Sequence, residues 1–126
     1  MKRFLLLLAA LAIGLVTGCI GEVATYSDAG QAIDTEVNQQ FVIALGSNPS
    51  TGYSWQASYD ETMLELVGGQ SIYKEEAEKG MVGAGGVEYF RFKALKTGRT
   101  EVTLVYEQPW EGGGTGETKV FTIHIR

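Results

Sequence analysis

The chain has 126 residues, of which 15 are acidic and 10 are basic, so its formal net charge at pH 7 is −5. A chain of this length can form one domain with a single hydrophobic core. An acidic balance without a basic cluster is unsuited to nucleic acid, so we expect no nucleic-acid partner. The single cysteine, Cys19, excludes an internal disulfide. The fold must therefore depend on packing alone.

The N-terminus has the pattern of a secretory signal. Lys2 and Arg3 precede an uncharged apolar run from Phe4 to Val16. A basic start, a short hydrophobic stretch and small residues are typical of signal peptides, and the run is shorter than the about 20 residues that span a bilayer. The sequence Val16-Thr17-Gly18-Cys19 also resembles a lipoprotein cleavage box, in which the cysteine becomes the lipidated first residue of the mature chain.

This pattern predicts three segments: a lipoprotein-type signal peptide over residues 1–18, a lipid-anchored tether over 19–22 and a folded domain over 23–126. We expect an extracytoplasmic protein of prokaryotic origin that is attached to the cell membrane through lipidated Cys19. Ordinary secretion, with Cys19 a remnant of the signal, is the alternative. Without residues 1–18 the charge becomes −7, from 8 basic and 15 acidic residues. Because so acidic a chain is not attracted to anionic lipid, the membrane link would be covalent.

The rest of the chain alternates apolar and polar residues in short runs separated by turn residues, which is typical of β-strands. In chain order, the predicted strands cover Glu22–Tyr26, Ala32–Val37, Phe41–Leu45, Tyr53–Tyr59, Val87–Leu95, Thr100–Glu107 and Lys119–Arg126, with two shorter pieces at Met63–Val67 and Ser71–Lys74. The first two are expected at sheet edges. About seven to eight strands with turns every 8–12 residues predict an all-β antiparallel sandwich, with an open barrel as the alternative. A mobile glycine-rich segment is expected over 111–116.

The alternation also assigns side chains to the two faces of the strands. Trp55 is expected in the core, since sandwich domains commonly carry a central tryptophan. His124 alternates away from the apolar residues of the last strand and is expected on the surface. On the last two strands the residues predicted to point inward are Val102, Leu104, Tyr106, Phe121, Ile123 and Ile125. On the earlier strands, Phe41, Ile43 and Leu45 share one face, and Glu88, Phe90, Phe92 and Ala94 share one side.

Catalysis would need a nucleophile with a base, a suitable pair of carboxylates or a metal cluster. Cys19 lies at the signal junction, and one histidine cannot form the usual type of zinc site. The carboxylates are scattered over outward strand positions and loops. We therefore predict no catalytic residues, no cofactor and no metal site.

Three punctuated loops are the most informative part of the sequence. They are Asn48-Pro49-Ser50-Thr51-Gly52-Tyr53, Gly83-Ala84-Gly85-Gly86 and Gln108-Pro109-Trp110. Each has a structural interpretation of its own: a stiff turn, a flexible hairpin tip, and an aromatic side chain that folds back on the core. Each also lies between two predicted strands. Together they are more typical of a composite binding edge than of an enclosed active site.

In order and spacing, these loops resemble those of the chagasin family of inhibitors of papain-like cysteine proteases. The resemblance covers essentially the whole mature chain and implies an immunoglobulin-like sandwich. It implies that the first loop enters the protease cleft, with Thr51 reaching deepest. The second loop would pair its backbone along the cleft rim, and Trp110 would anchor the other side. The family has Thr where this chain has Ser50 and usually Arg where it has Gln108, so an ion pair at that corner is not expected.

The resemblance thus implies a reversible, tight-binding inhibitor that works as a monomer on a papain-like cysteine protease. The alternative from a different class is a surface-anchored sandwich that serves in adhesion or as a scaffold and has no protease target. Sandwich folds host many functions, so the fold alone does not decide between the two.

Overall fold

The computed structural model describes residues 23–75 and 85–126. The predicted signal peptide, the tether, Cys19 and two members of the glycine-rich loop, Gly83 and Ala84, lie outside the described residues. The described ranges contain no helix with the length and hydrophobicity that a membrane span needs.

The described residues form nine β-strands, slightly more than the sequence predicts. Their bounds are β1 Ala24–Tyr26, β2 Ile33–Thr35, β3 Gln40–Ser47, β4 Ser54–Tyr59, β5 Leu64–Leu66, β6 Ile72–Glu75, β7 Gly86–Ala94, β8 Gly98–Glu107 and β9 Thr115–Ile125. Two short 3-10 segments, Pro49–Thr51 and Val67–Gly69, interrupt the connections.

The strands form two sheets, which confirms the sandwich and excludes the barrel. In the five-stranded sheet β3 lies between β1 and β7, and the far side of β7 pairs with both β5 and β6. The other sheet has the order β2-β9-β8-β4. The pairs within the body of each sheet are antiparallel, as predicted.

The two opening strands depart from the antiparallel prediction. β1 runs parallel to β3, and β2 runs parallel to β9. Parallel neighbours cannot be joined by a tight turn, and here β1 leads into β2 in the opposite sheet before the chain returns as β3. Their direction therefore depends on contacts between distant segments, which the local alternation does not encode.

The inner faces of the sheets form one core, and the predicted alternation is confirmed along β3, β7, β8 and β9. The core side chains are Ile33, Phe41, Ile43, Leu45, Trp55, Leu64, Phe90, Phe92, Ala94, Val102, Leu104, Phe121, Ile123 and Ile125. Trp55 is only 5% exposed, as expected of a core residue. His124 lies on the outward phase of β9 and is half-buried.

Glu88 is a charged residue in this apolar interior, at the start of β7. Its carboxylate accepts hydrogen bonds from the Trp55 backbone N–H, at 3.2 Å, and from the Ser71 hydroxyl, at 2.7 Å. A buried carboxylate is tolerable only when its oxygens have such donors. Glu88 thereby ties the first strand after the proline-containing loop to the sheet opposite.

The last strand begins earlier than the sequence predicts, at Thr115 rather than at Lys119. Part of the glycine-rich segment expected to be mobile is therefore ordered strand. Tyr53 packs directly over Gly114, the residue before this strand, where a Cβ would collide with the tyrosine hydroxyl. A Cβ on Gly116 would lie only at ordinary contact distance from the Tyr53 ring. Thr115 belongs to the strand through its pairing with Glu107 of β8. Since this end of β9 shows no apolar alternation, the periodicity does not predict it.

Candidate functional site

The register of the strands brings the described parts of the three loops to one end of the sandwich. β3 ends at Ser47, which pairs with Gly86 at the start of β7. β4 begins at Ser54, which pairs with Glu107 at the end of β8. The loops that leave these strand ends therefore emerge from the same pole. We call them the proline loop (Asn48–Tyr53), the glycine loop (Gly83–Gly86) and the tryptophan loop (Gln108–Gly114).

The proline loop is a short 3-10 turn whose polar groups bond to one another. The Asn48 side chain accepts from the Ser50 backbone N–H, at 3.3 Å, and from the Ser50 hydroxyl, at 2.6 Å. The Thr51 hydroxyl donates to the Asn48 carbonyl at 2.7 Å. Pro49 restricts the backbone further, and Gly52 ends the turn at φ 84°, a left-handed conformation that favours glycine. The loop is thus held in one compact shape without a partner.

An aromatic stack supports the proline loop from below. The Tyr106 ring lies between those of Tyr53 and Trp55, with centroid distances of 5.3 and 4.9 Å. The Tyr106 hydroxyl accepts a hydrogen bond from the Asn48 backbone N–H at 2.9 Å. The first residue of the loop is therefore fixed to the ring stack, and the stack continues into the core through Trp55.

The tryptophan loop leans against the end of the proline loop. Trp110 is 55% exposed, so its indole does not enter the core. A Cβ on Gly52 would lie 2.5 Å from Cη2 of Trp110, which shows how closely the indole covers this glycine. The Gly113 backbone N–H donates to the Trp110 carbonyl at 2.9 Å and closes the turn. Pro109, like the indole, is exposed.

The described part of the glycine loop lies against the other end of the proline loop. Gly85 has φ 85°, and a Cβ there would lie 2.9 Å from the Ser47 carbonyl oxygen and 3.3 Å from Cβ of Asn48. The approach at Gly86 is closer still, because a Cβ there would collide with the Lys74 carbonyl of β6. Both glycines thus permit a backbone approach that a side chain would prevent.

The structure therefore brings together the described members of the predicted site. The proline loop is flanked by Gly85 at its first residue and by Trp110 at its last. Their part in binding stays a prediction, and so does that of Gly83 and Ala84, which lie outside the described residues.

Sequence reasoning missed how the site is supported. Tyr106 points inward as predicted and packs against the core, but it is only half-buried, and its hydroxyl also accepts the hydrogen bond from Asn48. From the sequence, Gln108 is notable only because the resembled family usually has arginine there. In the structure its side chain bonds to Thr51 of the proline loop and to Gly114 of its own loop. A clue for Tyr106 was present: it shares the inward phase of β8 and lies just before the tryptophan loop.

The chemistry of this pole suits binding and not catalysis. The proline loop and the tryptophan loop contain two ionisable side chains, the Tyr53 phenol and the exposed Glu111 carboxylate, and neither has a base or a second carboxylate within these loops. Among the residues that the structure describes, no group of three or more His, Cys, Asp or Glu side chains could hold a metal ion. What the pole offers to a partner is backbone, hydroxyl groups, proline and an exposed indole. Aromatic side chains of this kind are typical anchors of protein interfaces.

A rigid β-sandwich that presents ordered loops from one end is a binding protein of immunoglobulin-like design. Sequence comparison defines the class further, because the family described as "Chagasin family peptidase inhibitor I42" matches residues 34–125. The chain therefore belongs to the chagasin family, which consists of peptidase inhibitors and not of enzymes. This confirms the resemblance seen in the loops.

Two relatives illustrate the family. Amoebiasin-2 of Entamoeba histolytica is 38% identical over 76 residues, which are 60% of this chain and 61% of that protein. The match thus spans less than two thirds of that relative's length. Chagasin of Trypanosoma cruzi is 29% identical over 103 residues, which cover 77% of this chain and 89% of chagasin.

Solved structures share the architecture. The crystal structure of the cysteine protease inhibitor EhICP2 from Entamoeba histolytica superposes with a TM-score of 0.68 at 30% identity, covering 82% of this chain and 96% of that one. The structure of PbICP-C in complex with falcipain-2 matches with a TM-score of 0.50 at 17% identity, covering 84% of this chain and 100% of that one. At this identity the second match shows the fold alone.

Proposed function

We propose that this chain is a reversible, tight-binding inhibitor of papain-like cysteine proteases that occludes the active-site cleft with three loops. The observation that carries the proposal is the contact of the proline loop with Gly85 on one side and Trp110 on the other. Family membership supports it, as does the partner of one structural neighbour, falcipain-2.

The order of the loops before binding favours high affinity. Immobilising a flexible side chain on binding costs about 0.5–1.5 kcal/mol, and loops that are already ordered avoid much of this cost. The proline loop is closed by its own hydrogen bonds and fixed to Tyr106. An interface of about 1,600 Å² can then reach nanomolar affinity, about −12 kcal/mol.

Each loop has a distinct role in this proposal. The proline loop enters the cleft, with exposed Thr51 at its leading end. The glycine loop lies along the rim, where the lack of side chains lets its backbone approach the protease. Trp110 anchors the opposite rim. No covalent step is needed, so inhibition is reversible, and the compact turn resists cleavage because it does not present an extended substrate.

Titration of papain with the purified protein tests the proposal. We expect stoichiometric inhibition at low nanomolar concentrations and full recovery of activity after dilution. Circular dichroism establishes in the same preparation that the protein is folded. A folded protein that leaves papain fully active at micromolar concentration would contradict the proposal and favour the adhesion or scaffold alternative.

We also propose that the protein is a prokaryotic lipoprotein, anchored outside the cytoplasm through lipidated Cys19 after removal of residues 1–18. The sequence Val16-Thr17-Gly18-Cys19 and the apolar run before it support this. A single acyl chain binds a membrane only weakly, so firm attachment needs two or more. The inhibitory pole would then face proteases outside the cell.

Mass spectrometry of the membrane-associated protein tests the anchor. We expect a mature N-terminus at Cys19 with the added mass of a lipid, and a Cys19→Ser variant that no longer sediments with membranes. A mature protein that begins elsewhere or carries no lipid would contradict the anchor and favour ordinary secretion.

A further inference from the structure

The Gln108 side chain connects two loops of the binding pole. Its amide Nε2 donates a hydrogen bond to the Thr51 carbonyl at 3.1 Å. Its Oε1 accepts one from the Gly114 backbone N–H at 2.8 Å. One planar amide thus links the end of the proline loop to the far side of the tryptophan loop, using both its donor and its acceptor.

Gln108 is itself held in place by the backbone. Its N–H donates to the Gly114 carbonyl at 2.9 Å, so Gln108 and Gly114 are bonded to each other through main chain and side chain alike. The position of the amide is therefore set by the tryptophan loop, and the Thr51 carbonyl is the group that it restrains. The covering of Gly52 by Trp110 joins the same two loops, but through van der Waals contact without a directional bond.

We infer that Gln108 is a positioning residue, which locks the proline loop to the tryptophan loop before a protease binds and does not itself contact the protease. The amide suits this role because it donates and accepts at once. Arginine, which the family resemblance leads us to expect at this position, has only donors and could not accept from the Gly114 N–H. The effect on inhibition rests on the proposed function, whereas the locking is a property of the free protein.

The Gln108→Glu variant tests the lock in the free protein. A carboxylate keeps an acceptor for the Gly114 N–H, loses the donor to Thr51 and places negative charge against the Thr51 carbonyl. We expect hydrogen exchange at the Thr51 and Gly52 amides to be about 10-fold faster than in the wild type at pH 7, as expected for the loss of one hydrogen bond. Gln70→Glu, at an exposed glutamine between β5 and β6, adds the same charge and should leave these amides unchanged.

Acid should restore the lock in this variant. A protonated carboxyl group again has a donor, and the ordinary pKa of glutamic acid is about 4.3. The excess of the variant's exchange rate over that of the wild type at the same pH should therefore shrink as the pH falls through this range. Gln108→Met, which has similar length but neither donor nor acceptor of this kind, should show faster exchange at every pH.

The exchange and inhibition results together distinguish the possible outcomes. If Gln108 positions the loop, Gln108→Glu also weakens papain inhibition by about 10-fold. The loss of inhibition should then be larger in variants and at pH values where the Thr51 and Gly52 amides exchange faster. Weakened inhibition with unchanged exchange would identify Gln108 as a protease contact and overturn the inference. Unchanged exchange in both Gln108 variants would overturn it as well. If the wild type does not inhibit papain, the proposed function fails, and the exchange rates still decide whether the lock exists.

Discussion

The two tryptophans of the chain, Trp55 and Trp110, lie in opposite environments. Trp55 is 5% exposed, and its indole N–H donates to the Gly46 carbonyl at 2.9 Å. Trp110 is 55% exposed and rests one part of its ring on Gly52. The same side chain thus stabilises the fold at one position and is available to a partner at the other. The surroundings determine the role of each tryptophan: Trp55 lies in the interior between the two sheets, and Trp110 lies on the glycine that ends the turn.

The two regions are nevertheless physically connected. Tyr106 stacks on Trp55 and on Tyr53, and its hydroxyl fixes Asn48. The exposed loops are therefore connected to the buried core through these ring contacts. Substitutions can separate the residues that stabilise the fold from those that serve recognition.

Trp55→Ala should have the largest effect, and on stability. Replacing a buried tryptophan by alanine costs about 3–5 kcal/mol, which for a domain of this size lowers the melting temperature by more than about 10 °C. Calorimetry measures it, with Trp55→Phe as the control that keeps an aromatic ring and should lose less. A small change for Trp55→Ala would contradict its assignment to the core.

Trp110→Ala should affect recognition and leave stability nearly unchanged. Interface anchors of this type contribute at least about 2 kcal/mol, so papain inhibition should weaken by about 30-fold or more. The melting temperature should shift by no more than about 3 °C, because substitutions at exposed positions usually change stability little. If this variant instead melted as low as Trp55→Ala, the indole would belong to the core and the contrast between the two tryptophans would be wrong.

Gly52→Ala tests the contact between the two loops. Alanine at φ 84° has an unfavourable backbone conformation that costs about 1–2 kcal/mol, and its Cβ would displace the Trp110 indole. We expect a lower melting temperature, a shift in tryptophan fluorescence and inhibition weakened by about 10-fold.

Gly112→Ala is the matched control for this variant. Gly112 has a similar φ of 82°, but a Cβ there would meet no atom within 4 Å. It should therefore show the backbone cost without the change in fluorescence. Equal fluorescence changes in the two variants would show that the indole does not depend on Gly52.

Tyr106→Phe should have the smallest effect. The ring stack remains, but the Asn48 N–H loses its acceptor, which costs about 1 kcal/mol. We expect a slightly lower melting temperature and faster hydrogen exchange at Asn48, both measurable on the free protein. Tyr59→Phe, which removes a hydroxyl from the far end of β4, serves as the control. No change in exchange at Asn48 would show that the loop does not need this bond.

Much of the fold was predictable because strands have a period of two. The inward phase of Phe90, Phe92 and Ala94 follows directly from alternation, and the turn residues mark where strands end. The parallel pairing of β1 with β3 and of β2 with β9 was not predictable, because local alternation does not encode which strands become neighbours or in which direction they run. The start of β9 was missed because the glycine-rich segment carries no apolar alternation, and Thr115 enters the strand by pairing with Glu107 of β8.

For the candidate site, the positions of the loops were predictable from the sequence, but the bonds that support them were not. Turn chemistry located the proline and tryptophan loops, and the Pro49 and Gly52 conformations are those that the residue types favour. The bonds that support them, from Gln108 to Thr51 and from Asn48 to Tyr106, were not predictable. Each depends on a particular side-chain rotamer and on the three-dimensional approach of strands that are far apart in the chain.

The close cover of Gly52 by Trp110 has a consequence for engineering. A designer who transplanted the proline loop alone onto another sandwich would leave behind the indole that lies on it and the tyrosine hydroxyl beneath it. The graft would have the same residues but lack the contacts that hold them in their conformation. The transferable unit is therefore the whole pole of the domain, and variation in any one loop is constrained by the others.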